Sequence, residues 1–146
     1  DSRQSRGLGD VYKRQMPRLY REAPLNSIWE GSGNVMCLDV LRALQRDKNA
    51  LPSLFRELAS AKGSNKNFDE SFSHLKETLQ DPIDLEIEAR LLTEKMACLI
   101  QASIFIKSGE EEKISAFCNS RLGPRWSGAF GTLPTDTSFE YIMGGL

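Results

Sequence analysis

Met16-Pro-Arg-Leu-Tyr-Arg-Glu-Ala-Pro-Leu-Asn-Ser-Ile-Trp-Glu-Gly-Ser-Gly-Asn-Val-Met-Cys-Leu-Asp-Val-Leu-Arg42 is the stretch on which the reading of this chain turns. Its first half is broken by Pro17, Pro24, Gly31 and Gly33, which predicts a short helix or turn followed by an extended loop. Its second half changes period. Asn34 is of the type that caps helix N-termini, offering a side-chain oxygen to the first-turn amides. After it Val35, Leu38 and Leu41, with Val40 and Leu44, recur at helical spacing up to about Arg46. Taken alone, the Glu30-Gly31 pair reads as a solvated turn and Ser32 or Asn34 as a cap.

Towards the C-terminus the same period recurs and no strand alternation competes with it. Asp47-Lys48-Asn49 is a break. A helix is expected from about Ala50 to Ala61, with Pro52 in its first turn and Gly63 past its end. The next starts after Phe68, with Asp69 as cap candidate and Phe72, Leu75 and Leu79 on one face; Asp81-Pro82 closes it. The longest runs from about Asp84 to Lys107, with Leu85, Leu92, Met96, Leu99 and Ile106 in one stripe and Gly109 ending it. Glu86 and Arg90 form an acid-to-base i,i+4 pair on it. A further helix spans about Glu111 to Arg121, its leading glutamates suited to the positive end of the helix dipole. A loop from Gly123 to Pro134 holds Trp126 and Phe130, which need a surface to bury against. Ser138 to Met143 is a terminal turn. The expected fold class is all-α. The expected core includes Leu54, Leu58, Phe72, Leu75, Leu92, Met96 and Leu99, with Arg121 and Arg125 exposed.

Towards the N-terminus the sequence stops looking like protein. Ser5 to Gln15 reads SRGLGDVYKRQ, the one-frame translation of a transposase-library sequencing adapter at every residue. Residues 1–15 are therefore set aside as non-native, expected to pack against nothing, and the genuine sequence is taken from near Met16. Four of the 19 basic and two of the 20 acidic residues lie there, so the remainder carries a net charge of about −3. That balance argues against a strong field for polyanions over the whole surface. No apolar run approaches the roughly 20 residues that span a bilayer, and no secretory signal pattern is present. Cys37, Cys98 and Cys118 are odd in number and lack a C-x-x-C pair, which points to buried free thiols in a reducing, cytoplasmic compartment. His74 has no sequence-near ligand partner, so no metal site is expected.

The quoted stretch resembles the end of the last dehydrogenase domain in acyl-CoA dehydrogenases. The resemblance lies in the Tyr-Arg-Glu-Ala run from Tyr20, the aromatic-Glu-Gly-Ser turn from Trp29 and the helix that follows. The wording from Asn26 to Val40 is nearer to the AidB-like, adaptive alkylation-response subgroup than to the fatty-acid oxidation enzymes. It is strong over residues 16–42 and weaker beyond. The resemblance divides the chain into residues 16–46, the end of the dehydrogenase domain, and 47–146, an extra C-terminal helical subdomain. It implies that Glu30 is the catalytic base taking an α-proton from an acyl thioester, because a carboxylate desolvated by apolar walls can hold a pKa near working pH. It also implies that Ile28, Trp29, Gly31, Ser32 and Asn34 border an FAD. Gly31 would let the backbone pass close, and the helix start would favour a pyrophosphate.

The same resemblance implies partners: dehydrogenase domains N-terminal to this stretch, a homotetramer, an acyl-CoA thioester and, for the subgroup, double-stranded DNA. One alternative is a flavin-containing DNA-binding, alkylation-protection protein with weak or no dehydrogenase activity. It would place phosphate contacts on Arg42, Arg46, Arg121 and Arg125, with Lys48 nearby. The other is that the helices after Asp47 serve only in packing and oligomerisation. On every reading the chain alone is too incomplete to be active.

Overall fold

A computed structural model describes residues 15–29, 31–80, 85–125, 128, 131, 133–135 and 137–144. Residues 1–14 of the adapter-like segment, Glu30, the Asp81-Pro82 stop with Asp84, and the loop aromatics Trp126 and Phe130 lie outside them. In chain order the helices are α1 (Gln15–Glu22), a 3-10 turn (Ala23–Ser27), α2 (Gly33–Arg46), α3 (Ala50–Ala59), α4 (Lys66–Gln80), α5 (Ala89–Ser108), α6 (Glu111–Arg121) and α7 (Phe139–Gly144). Every regular element among the described residues is helical, as the periodicity requires. No helix among them is long and apolar enough to cross a membrane.

The central element is α5. It buries Ala89, Leu92, Met96, Leu99, Ala102 and Ser103, a stripe with the three- and four-residue spacing of one helix face. Helices α2, α3, α4 and α6 all pack on it. They contribute Leu41, Leu58, the Phe68–Phe72–Leu75 row, Ile114 and Cys118 to the same core. Gly109 stops α5 in the left-handed conformation, φ 77°, and its amide donates to the Ile106 carbonyl at 3.2 Å. Leu54, one turn before Leu58 on the same face of α3, packs against the core but is only half-buried. Phe68, expected just outside its helix, is fully buried within it.

That difference comes from the cap. Asn65 accepts hydrogen bonds on Oδ1 from the Asn67 amide (2.9 Å) and the Phe68 amide (3.3 Å), so the cap of α4 stands four residues before Asp69. Asp69 instead accepts from the amide of Gly63, at 3.0 and 3.2 Å, and ties the α3–α4 loop to α4. A polar seam joins α4 to α6. The Asn67 amide group donates to Asn119 Oδ1 at 2.8 Å, and the Ser71 hydroxyl donates to the Leu122 carbonyl at 3.2 Å. The Phe105 and Phe117 rings, 5.0 Å apart, close α5 on α6, and Lys107 pairs with Glu57 across α5 and α3. Tyr141 of α7 donates to Glu110 at the head of α6. Lys113, and then Tyr141, hold the Glu110 carboxyl below its ordinary range.

Gly123, just past α6, is buried, and a Cβ there would stand 2.4 Å from the Asn119 carbonyl oxygen. Backbone on both sides leaves little room to yield. Gly123→Ala is expected to cost about 1–3 kcal/mol, the usual range for overpacking. Urea unfolding followed by circular dichroism checks it; an unchanged midpoint would show that the turn relaxes freely.

Candidate cofactor and active-site turn

The chain reaches the turn through the 3-10 segment, which Pro24 helps start. The amides of Ile28 and Trp29 both donate to the Leu25 carbonyl, at 3.0 and 2.8 Å. Gly31 then takes φ +110°, a conformation L side chains rarely adopt, and a Cβ on it would also press on Val35 Cγ1 at 3.3 Å. Glycine is thus required at the residue after Glu30 for the backbone alone, before any ligand is considered.

Helix α2 begins two residues earlier than expected. Ser32, with φ −69° and ψ 157°, is the N-cap residue, and its carbonyl accepts the Met36 amide at 3.1 Å. Its hydroxyl makes no cap hydrogen bond. Asn34 is already helical and is not the cap. Its side-chain oxygen accepts from Arg90 Nη1 at 3.0 Å, across 56 residues of sequence. The opening amides of α2 are therefore not satisfied by a side-chain cap. Helix geometry gives them no intrahelical acceptor and leaves partial positive charge there.

Around the turn the apolar side chains face outward. Ile28 is 72% exposed and Trp29 60%, in company with Leu19, Tyr20, Leu25, Val35 and Met36. Large apolar side chains exposed on sequence-adjacent residues such as Ile28 and Trp29 offer a surface for another segment to cover. Beside α2, a hollow of about 240 Å³ is lined by Asn34, Cys37, Leu38, Glu86, Ile87 and Arg90. The sequence reading missed Arg90 as a neighbour of this turn. Its only sequence signal was the i,i+4 spacing from Glu86, which says nothing of a partner on another helix.

The basic candidates sit on α2, in the break after it and at the end of α6. Arg42 and Arg46 are exposed one turn apart on α2, but Arg42 is paired with Asp39 at 2.6 Å. Arg125 is exposed in the turn after α6 and Lys48 in the break after α2. Arg121, expected exposed, is half-buried. It lines a hollow of about 290 Å³ with Ser71, Glu94, Lys95, Cys98 and Leu122, because the end of α6 lies against α5. Burial, and then the Glu94 carboxylate, push the Cys98 thiol up, with Arg121 opposing them. Cys118 is buried and its thiol is pushed up to about 11 by desolvation, whereas Cys37 and Cys98 are half-buried. His74 is exposed, its Nδ1 near Thr78 and Lys95, both at 3.3 Å.

No family model matches the chain. Over 119 residues, 82% of its length, it is 36% identical to the AidB protein of Escherichia coli (strain K12), classed by name with the acyl-CoA dehydrogenases. Over 77 residues, 53% of its length, it is 32% identical to acyl-CoA dehydrogenase family member 11 of Caenorhabditis elegans. The chain belongs to the acyl-CoA dehydrogenase family. It spans 22% of the length of the first relative and 12% of the second. An alignment of 119 residues reaches far beyond the stretch Met16–Arg42, so family likeness extends into the helices packed around α5.

Proposed function

We propose that these residues are the C-terminal part of an FAD-dependent acyl-CoA dehydrogenase-like oxidoreductase. In this reading Glu30 removes the α-proton of an acyl thioester and Ile28, Trp29, Gly31, Ser32 and Asn34 border the cofactor. The observation that carries it is the uncapped start of α2 directly after a glycine held at φ +110°. The residues present fit the anionic part of such a group: first-turn amides, a serine hydroxyl not used for capping, and an asparagine side chain. FAD, when bound, supplies the acceptor for the hydride that leaves the β-carbon. What this chain's residues do is bind and orient. Ser32 and Asn34 offer donors, Gly31 lets the backbone approach, and Trp29 forms an apolar wall that excludes water once its outer side is covered.

The proposed DNA role would need Arg42, Arg46, Arg121 and Arg125 on one open face. Half-burial of Arg121 and the Asp39 partner of Arg42 weigh against it.

The test is cofactor retention. The full polypeptide carrying these residues should purify with flavin absorbance in the visible range. The 146-residue chain should take up none from excess FAD, because one turn with Trp29 60% exposed cannot enclose a flavin. A full polypeptide without affinity for FAD would overturn the reading. Tight binding by the chain alone would overturn the dependence on other segments.

A further inference from the structure

We propose that Arg90 is a positioning residue of this turn, acting through Asn34. The proposal rests on the reading of Asn34 as a cofactor contact. A guanidinium has five N–H donors and no acceptor. Its contact with Asn34, 3.0 Å from Nη1, must therefore be to the side-chain oxygen. That choice orients the whole carboxamide. With Oδ1 turned to Arg90, the other edge presents the two Nδ2 hydrogens. Without Arg90 the amide can rotate and present either edge.

Two features hold the guanidinium in place. Arg90 follows Ala89, which is buried in the core that α5 shares with α2, so its backbone position is set by packing. At the other end it lies over Gly33, where a Cβ would stand 3.3 Å from Nη2. Gly33 thus provides the space the guanidinium occupies. The groups that then face a ligand at the start of α2 are donors, the first-turn amides and Asn34 Nδ2, while the Arg90 guanidinium holds Asn34 and lines the hollow with Glu86. The atom these donors recognise is an acceptor, best an anionic oxygen such as that of a phosphate. Arg90 lies after Asp47, so the helical region reaches back and sets the chemistry of a turn more than fifty residues earlier.

The experiment uses the full polypeptide and measures FAD dissociation by flavin fluorescence, with circular dichroism to confirm unchanged unfolding. Arg90→Ala and Asn34→Ala should each weaken FAD about tenfold, the scale of one lost hydrogen bond. The double variant should be no weaker than Asn34→Ala alone, because Arg90 acts through that side chain. Asn34→Asp keeps an acceptor for Arg90 but replaces the donor edge by a carboxylate oxygen. It should weaken FAD at least as much as Asn34→Ala while leaving folding unchanged. Wild-type affinity in Arg90→Ala, or a double variant weakened by the product of the single effects, would overturn the positioning role while leaving Asn34 as a contact. Wild-type affinity in both Asn34 variants would instead remove Asn34 from the cofactor site, and the proposal with it.

Discussion

Glu30→Gln in the full polypeptide is expected to lower dehydrogenation of an acyl-CoA thioester by about 10²-fold or more, the usual scale for losing a general base. Glutamine keeps the size and shape of the side chain but cannot take the proton. The flavin absorbance should persist, because the groups placed at the cofactor are Ser32, Asn34 and the backbone around Gly31. That separation of catalysis from retention is the point of the experiment. The base must be desolvated to work near neutral pH, and Trp29 supplies only one apolar wall, itself 60% exposed in this chain. The remaining walls must come from elsewhere in the polypeptide. If the variant keeps its activity, another group is the base. If the wild type turns over no thioester at all, the protein is a flavin-bearing binding protein and Glu30 has no catalytic task.

Phe68→Ala should be the most damaging change to the fold, destabilising it by about 3–5 kcal/mol. The side chain is fully buried, its ring centroid 6.2 Å from that of Phe72, which in turn meets Phe55 edge-on at 6.0 Å. It sits in the first turn of α4, held there by the Asn65 cap. Collapse into the vacated space is limited because the cap and the Asn67–Asn119 hydrogen bond fix both sides of that turn. Domains of this size hold about 5–15 kcal/mol in all, so much of the margin would be lost. Urea unfolding of the chain measures it. Tyr20→Ala, at a site 82% exposed, serves as the control and should change stability by less than about 0.5 kcal/mol. A loss below about 1 kcal/mol for Phe68→Ala would show that this end of the core is loosely packed.

By itself the sequence determined the all-helical class, the run of helices and most of the core. Leu58, Phe72, Leu75, Leu92, Met96 and Leu99 are buried as their spacing required, because which residues share a helix face is a local property of a 3.6-residue repeat. It also determined the family, since the run from Tyr20 through Trp29 to the helix after Ser32 is a contiguous string. Helix starts were less legible. At the starts of α2 and α4 more than one residue of capping type lies within a few positions, and the one expected as cap is held by another group. Asn34 is claimed by Arg90, and Asp69 by the amide of Gly63, which leaves Ser32 and Asn65 at the N-caps. Only the tertiary structure decided that Arg121 is half-buried beside Cys98 and that Arg90 stands over Gly33 and Asn34. A charged residue on a helix reads as solvent-facing until another helix is laid against it. Which helix that is, and at what rotation, depends on how α2, α4 and α6 fill the grooves of α5, and that is a property of the assembled core rather than of any one segment.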